Sequence, residues 1–446
     1  MENSSHTHSV TELQDADVLS LARVPSGDSA QEFVADVSER IRPLVVRKPA
    51  SEGGPPSGRE RDKGRDKRTR ETGIILAGLM RKGFRGKWCQ VNEGHSGWFW
   101  SASRKLPFGN KAFWTKTRAM IELGLLEYVS GKGWKDKWGK WDGEGARLRP
   151  SQALLRLAES YGCTKETAFS DWPLRAPAPV SDIAEPVQIE PFPDSRNTGT
   201  EPVPQDLLIF MQRLQDVIAH HRFSGCARPV LQMKFIGSLS FHGRIYAKGA
   251  DNYQSMARED RQFIKIDGEP AQEVDISAAS LSIALLLSGH ALPPGDLYTL
   301  PGIDAAKHRK AVKQWFVATF GAGKPCSRWS GRVDAKIRST IRAPTIKQAA
   351  LMHYPFLKKL DRIVPNSIMH TVPQSYRERA VGQYLISVEA QIMRRAMDDI
   401  VAQGGVALPL HDALLVPVSW ADKAQKAIEQ ASHRLLGHTL RVGYKV

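Results

Sequence analysis

Residues 406–418 read VALPLHDALLVPV. Two apolar runs of β-forming residues meet at an adjacent histidine and aspartate, His411 and Asp412. A carboxylate inside a buried hairpin is costly, of order several kcal/mol, unless something compensates its charge. A metal ion is one such partner. The stretch therefore predicts strand, turn and strand, with Asp412 offered to a cation.

A second acidic position lies in EVDISAASLSIALLLSG, residues 273–289. Asp275 stands where a strand is expected to end and an apolar helix to begin, a place from which a carboxylate can face a cleft. Two divalent ions about 4 Å apart need shared carboxylates to assist an in-line phosphoryl displacement, which makes Asp412 the natural partner of Asp275. Taken singly, Asp275 reads as a helix cap and Asp412 as a turn residue. Between them, HRKAVKQWFVATFG (308–321) predicts a helix ended by Gly321. Arg309 and Lys313 are spaced i, i+4, and Phe316 and Phe320 repeat that spacing on a neighbouring stripe. Cations beside flat rings suit a nucleoside triphosphate; a basic surface over a core stripe is the other reading of that helix by itself.

Composition agrees with an anionic partner. The 446 residues carry a formal charge of +16 with 41% apolar residues, and the isoelectric point is near 9.7. Nucleic acid is the commonest partner of so basic a chain. The four cysteines, Cys89, Cys163, Cys226 and Cys326, form no CxxC pair, so neither a zinc site nor a disulfide framework is expected. MENSSHTHSV lacks the pattern of a signal peptide, and no run of about 20 apolar residues occurs. A cytoplasmic protein without a membrane role, bacterial or phage-encoded, is the expectation.

The chain divides by composition. Residues 1–70 are polar and end in PASEGGPPSGRERDKGRDKRTR, which predicts a disordered basic arm. Residues 71–167 read as a small globular domain. In GNKAFWTKTRAMIELGLLEYV, Phe113, Thr117, Met120 and Ile121 share one helix face and Lys111, Thr115 and Arg118 another, and Gly124 stops the helix. Strand LLEYV then leads into GKGWKDKWGKWDGEG, a basic hairpin tip, before ARLRPS returns. This order resembles a winged helix-turn-helix, with 110–123 as recognition helix and 130–145 as wing. Its DNA contacts would be Lys111, Thr115, Lys116, Arg118, Lys132, Lys135 and Lys137; a small α+β domain with solvated lysines is the plainer alternative. Residues 168–204 are Pro-rich and read as a linker. A second domain, 205–446, opens with the amphipathic QDLLIFMQRLQDVIAHH.

In that second domain the motifs fall in a familiar order. D-x-S at Asp275–Ser277, the basic-aromatic helix, and the apolar-HD-apolar hairpin resemble motifs A, B and C of family A polymerases. That group holds the DNA polymerase I class and the phage-type single-subunit RNA polymerases. FHGRIYA (241–247) looks like the GRxYA signature of the latter, DLY (296–298) is similar to the triplet between motifs A and B, and SVEAQIMRRAM (387–397) looks like the helix before motif C. The resemblance implies an α+β multidomain chain: a winged helix-turn-helix followed by a reduced right-hand palm and fingers. It implies two Mg2+ ions, with Mn2+ as an alternative, on Asp275, Asp412 and the Ile276 carbonyl. Lys313, helped by Arg309, would hold the triphosphate, with Phe316 beside them. Phe320 would stack under the incoming nucleotide, with Tyr298 from the DLY triplet and Ser280 in the same pocket. Arg244 and Tyr246 would face template or primer terminus, and His411 would stand beside that terminus or satisfy a backbone carbonyl. Tyr253, Gln254, Arg258 and Arg261 would face nucleic acid or lie in a solvated loop.

Departures from the family pattern shape the functional expectation. Ser280 stands where the DNA polymerases of the family place a glutamate that blocks a 2′-hydroxyl, so ribonucleotides should be accepted. Phe320 lacks the hydroxyl with which the RNA polymerases favour ribose. Within the second domain only about 35 residues precede the GRxYA segment, too few for a full thumb, so synthesis should be short and distributive. Nucleotidyl transfer by a primase-like polymerase at a DNA site follows, for replication of a plasmid, phage or integrated element, with a replication helicase as a candidate partner. A DNA polymerase of a mobile element and a DNA-binding regulator with an inactive polymerase-like half are the alternatives. An ATPase is not, since GAGKPCS (321–327) lacks the phosphate-loop spacing.

Overall fold

The structure, a computed structural model, describes residues 13, 16–19, 21, 23–46, 62–91, 108–135, 141–173, 185–193, 201–248, 252–330 and 333–445. The chain is mixed α and β and separates into two compact units, Met1–Pro179 and Val180–Val446. Among the described residues no helix is long and apolar enough to cross a membrane.

The first unit is built on helices α1 (Asp28–Val45), α2 (Asp62–Gly83), α3 (Asn110–Glu122), α4 (Gln152–Ser160) and the short α5 (Ala168–Asp171). A sheet of β1 (Asp17–Val18), β2 (Cys89–Val91), β6 (Ala146–Pro150) and β3 (Leu126–Val129), in that order, completes it. Its core begins well inside the segment expected to be a disordered arm, and that expectation is corrected for 28–45 and 62–70. Phe33, Val34, Val37 and Ile41 recur at helical spacing and are fully or almost fully buried. Four apolar side chains on one stripe suffice to dock a helix even where the surrounding composition is polar. The basic run is drawn in as well: Arg68 is buried and donates to the Ser38 hydroxyl at 2.7 Å and to Glu39 at 2.8 Å. The expected linker is likewise structured at both ends. Trp172 is buried against Phe33, ring centres 6.1 Å apart, and Val187–Glu190 forms a strand of the second unit.

Strand β3 continues into β4 (Lys132–Lys135), and β5 (Trp141–Glu144) into β6. The Val129↔Arg147 and Lys132↔Glu144 pairs keep one register, so 126–135 and 141–150 are the two arms of one antiparallel ladder with a break between its two parts. Helix α3 ends as expected, Gly124 being in the left-handed region at φ 68°. Its Lys116, expected to contact DNA, is instead buried in an ion pair with Glu71 at 2.6 Å, side-chain exposures 7% and 2%. Lys116 follows Trp114 and Phe113 around the helix onto the core side, which the i, i+4 reading of the exposed face leaves out.

The second unit holds two sheets on a long central helix. Strand β7 (Val187–Glu190) runs parallel to β9 (Leu231–Ile236), which pairs antiparallel with β10 (Ser238–Ala247). The larger sheet contains β8 (Phe223–Ser224), β11 (Lys265–Ile266), β12 (Glu269–Ile276), β13 (Leu408–Leu410), β14 (Ala413–Pro417) and β15 (Val442–Lys445). Strand β12 is its axis, with β14 on one side and β15 on the other. Around the sheets lie α6 (Gln205–His220), α7 (Ala279–Leu287), α8 (Ala305–Ala322), α9 (Ala343–His353), α10 (Arg377–Ala402) and α11 (Ala421–Leu436). The 26 residues of α10 span about 39 Å and touch β10, α6, α7, α8 and α11. Helix α8 packs on it through glycines: a Cβ at Gly382 would meet the Phe320 carbonyl at 2.9 Å, and one at Gly323 the Glu378 carbonyl at 2.1 Å. Gly323, at φ 63°, and not Gly321, ends that helix.

The buried pair in the first unit carries a prediction. Lys116→Ala leaves the Glu71 carboxylate uncompensated and should cost about 3–5 kcal/mol. The double variant Glu71→Leu/Lys116→Met should recover most of that loss, measured as the midpoint of the first unit's transition in urea. Equal midpoints for wild type and Lys116→Ala would refute the pairing.

Candidate functional site

The two carboxylates singled out in the sequence, 137 positions apart, meet where Asp275 ends the β12–β14 ladder and Asp412 stands in the turn before β14. Asp275 pairs with Ala413, and the Ile276 amide donates to the Asp412 carbonyl at 3.0 Å. One rung and one virtual bond then limit their Cα separation to about 9 Å. His411 and Asp412 form the two-residue turn between β13 and β14, with Leu410 opposite Ala413 and His411 in the left-handed region at φ 58°. Such a turn is polar because histidine and aspartate tolerate these dihedrals better than β-branched residues do. The left-handed Ala278, φ 50°, then turns the chain from β12 into α7.

The turn is anchored from behind. The buried Tyr253 hydroxyl donates to the Pro409 carbonyl at 2.5 Å. Gln254 donates to the carbonyls of Pro409 at 2.6 Å and Ile245 at 3.0 Å, and accepts from the Ala247 amide at 3.0 Å. Both side chains thus tie β10 to the hairpin; they neither face nucleic acid nor lie in a solvated loop. Arg261 pairs with Glu273 of β12 at 2.6 Å and also serves a structural end.

FHGRIYA forms a bulge. His242 and Gly243 both have positive φ, and the register of β10 on β9 shifts there. A bulge re-aims side chains. His242 hydrogen-bonds Gln383 at 2.9 Å and Tyr246 at 2.7 Å, and its ring stacks on that of Tyr246. Tyr246 in turn stands edge-on to His411, centroids 6.3 Å apart. Arg244 donates twice to one oxygen of Glu389 on α10, at 2.9 and 2.5 Å. Glu389 is 2% exposed. Burial pushes its carboxyl up to about 7, opposed by Arg244 and reinforced by the charge of Asp412. Burial, with Arg244 nearby, lowers the imidazole of His411, which favours its neutral form.

Tyr298 also lies within reach of the Asp412 charge. Burial raises its phenol to about 12, and the next largest cause is the charge of Asp412. Arg309 covers the Tyr298 ring at 5.4 Å and forms a fork to Asp296, 2.6 and 3.2 Å. Helix α8 therefore presents Arg309 and Lys313 outward, both exposed. Phe316 and Phe320 point inward: Phe316 packs on Tyr298, Tyr354 and Phe320 at centroid distances of 5.9 to 6.0 Å. Both phenylalanines are buried, so the expected stacking of Phe320 under a nucleotide is replaced by a packing role. Ser280, half-buried, occupies the first turn of α7.

The carboxylates differ in compensation. Asp275 meets the Lys445 ammonium at 2.5 Å. Among the described residues no hydrogen bond or ion pair ends on the Asp412 carboxylate, although it is half-buried. Among those residues, too, no three His, Cys, Asp or Glu side chains converge to hold an ion. A cation here would take two carboxylates and the Ile276 carbonyl, leaving its other positions to water and phosphate. That is the donor set Mg2+ uses and a poor one for zinc. A Cβ built on Gly443, directly across from Asp275, would meet nothing within 4 Å, so there is room beside that carboxylate.

In the first unit, Lys111, Thr115 and Arg118 lie on the exposed side of α3. Lys132 and Lys135 belong to β4, and Lys137 lies outside the described residues. Reading the sequence missed Glu389, Lys445 and Asp296. Glu389 had a signal: it interrupts the apolar stripe Leu385, Ile392 and Ala396 on α10, and a charge on a core stripe requires a partner. Lys445 had none, because its partner is set by strand pairing across 170 residues.

No model of a known protein family matches the chain, and neither does any curated protein sequence.

The raised carboxyl of Glu389 fixes the sign of a pH effect. The folded chain keeps a proton that the unfolded chain releases near 4.5, so this group's contribution to stability is present below that pH and lost as pH rises through about 7. Glu389→Gln cannot titrate. The melting temperature of the wild type should fall relative to that of Glu389→Gln between pH 5 and 8, as the raised carboxyl requires. A difference independent of pH would mean that Glu389 does not titrate in this window.

Proposed function

We propose that this chain is a template-directed nucleotidyltransferase, a primase-like polymerase that makes short products at a DNA site. The single observation that carries this reading is that Asp275, at the end of the β12–β14 ladder, and Asp412, in the turn that leads into β14, are brought together, the Ile276 amide donating to the Asp412 carbonyl at 3.0 Å. In the reading, the second unit is a reduced right-hand palm with α8 as its fingers helix, as the ordered sequence motifs imply.

Mg2+, held by Asp275, Asp412 and the Ile276 carbonyl, would neutralise charge on the triphosphate and lower the pKa of an attacking hydroxyl. The chain's own groups then divide the remaining work. Lys313 and Arg309 bind the phosphates from α8, Arg309 exchanging its Asp296 fork for phosphate oxygens of similar geometry. Arg244, held by Glu389, orients the primer terminus or template. Neutral His411 sits beside the terminus as a hydrogen-bond partner. The 3′-hydroxyl gives its proton to solvent water as its oxygen attacks the α-phosphorus, the bond to the bridging oxygen breaks, and pyrophosphate leaves with the electron pair. Positioning and charge neutralisation supply most of the acceleration.

The first unit supports DNA attachment. Its order of α2, β2, α3, β3, hairpin and β6, with β6 between β2 and β3, suits a winged helix-turn-helix. Helix α3 offers Lys111, Thr115 and Arg118 to a groove, and the long hairpin serves as wing. Fusing a site-binding module to a polymerase without a thumb raises the local concentration of a distributive enzyme at one place. Priming of a plasmid, phage or integrated element is the setting this suits, with a replication helicase as candidate partner.

Two measurements test the reading. Extension of a labelled primer, and priming on bare single strands, should require Mg2+ or Mn2+, accept NTPs as well as dNTPs, and fall at least about 1,000-fold in Asp412→Asn. Equal silence of wild type and Asp412→Asn, with duplex DNA still bound, would favour a regulator instead. Ser280→Glu should impose a preference for dNTPs. Separately, Arg118→Ala should weaken duplex binding and reduce the slope of log K against log salt by about 1; an unchanged slope would remove α3 from the interface.

A further inference from the structure

We propose that Lys445 is a built-in counter-ion of the site: its ammonium holds Asp275 while no divalent ion is bound and must be displaced for Asp275 to ligate one. The inference rests on the nucleotidyltransferase reading above and adds to it a residue that sets how much metal the site requires.

The geometry is specific. Strand β15 pairs antiparallel with β12 so that Lys445 stands opposite Glu273 and Gly443 opposite Asp275. Directly opposed residues project to the same face of a sheet, as do residues two apart on one strand. Glu273 and Asp275 therefore share a face, and Lys445 had two carboxylates within reach. Arg261 removes the nearer choice by pairing with Glu273 at 2.6 Å. The lysine instead runs along the strand to Asp275, meeting Oδ2 at 2.5 Å with side-chain exposures of 37% and 14%. Its backbone is fixed in that position, since Gln272 donates to the Lys445 carbonyl at 2.8 Å.

This arrangement gives the lysine two states. With no side chain at Gly443, the space beside Asp275 is open, and the long aliphatic stem can swing its charge to solvent while β15 stays paired. A divalent ion on Asp275 would repel an ammonium within ion-pair distance of the same oxygen, so the two occupancies exclude each other. Without the lysine, the Asp275 carboxylate, 14% exposed, would lose its ion pair while the charge of Asp412 stayed close by. The ammonium thus keeps the ladder stable before substrate arrives, and a metal carried in with a nucleotide triphosphate outcompetes it better than the free ion does.

The test is direct binding of Mn2+ to the full chain without nucleotide, read as loss of the free-ion paramagnetic resonance signal. Lys445→Met and Lys445→Gln should each bind about fivefold more tightly than wild type, the effect expected for removing a partly exposed ion-pair competitor. Lys445→Arg should resemble wild type, and adding Asp275→Asn to Lys445→Met should abolish the gain. Two lysine variants are titrated so that the answer does not depend on the folding of one, and melting temperatures accompany both. Wild-type binding with equal or weaker binding by Lys445→Met and Lys445→Gln would overturn the counter-ion while leaving the polymerase reading intact. Absence of Mn2+ binding by wild type and both variants at millimolar concentration would overturn both.

Discussion

The second unit is organised by a pairing of strands that are remote in sequence. The β12–β14 ladder brings a carboxylate at the end of one strand against a carboxylate in the turn before the other. Every group that gives the site its character is positioned relative to that ladder. Tyr253 and Gln254 hold the turn from β10, Glu389 reaches it from α10, and Lys445 reaches it from β15. A one-residue slip would carry Asp275 to the opposite face of the sheet. The buried Val274 and Ile276 oppose such a slip, because it would expose both.

Electrostatics explains why so many cations crowd a site expected to bind another one. Asp275, Asp412, Glu389 and Glu273 lie close together around the larger sheet, and burying four acids without compensation is prohibitive. Arg261, Arg244 and Lys445 each neutralise one of the four. Asp412 is left over, and its uncompensated charge is felt by Glu389, His411 and Tyr298 alike. The Asp296 fork to Arg309 follows the same logic on α8, where a resident acid occupies a guanidinium suited to phosphate.

The first unit shows how composition misleads at the scale of a segment. Residues 1–70 are polar on average, yet Phe33, Val34, Val37 and Ile41 make one face of α1 part of the core. The Pro-rich stretch 168–204 likewise contributes Trp172 to one unit and Val187 and Ile189 to the other. Averages measure whether a segment can fold alone, whereas docking needs only one apolar face. Conversely, Lys116 reads as a surface cation because its helix is basic, but its angular position puts it against Glu71.

What the sequence by itself determined was local: helices at 110–122 and 205–220, the strand, turn and strand around His411–Asp412, the end of α3 at Gly124, and the exposure of Lys111, Thr115 and Arg118 on α3. These follow from periodicity and backbone preference, which act over a few residues. Tertiary structure decided which acid meets which base. Glu389 joined to Arg244, Lys445 to Asp275, Lys116 to Glu71 and Asp296 to Arg309 are choices among many cations of equal intrinsic preference. Charge attraction has no sequence period. Its partners are selected by strand register and helix packing, and these exist once the chain has folded.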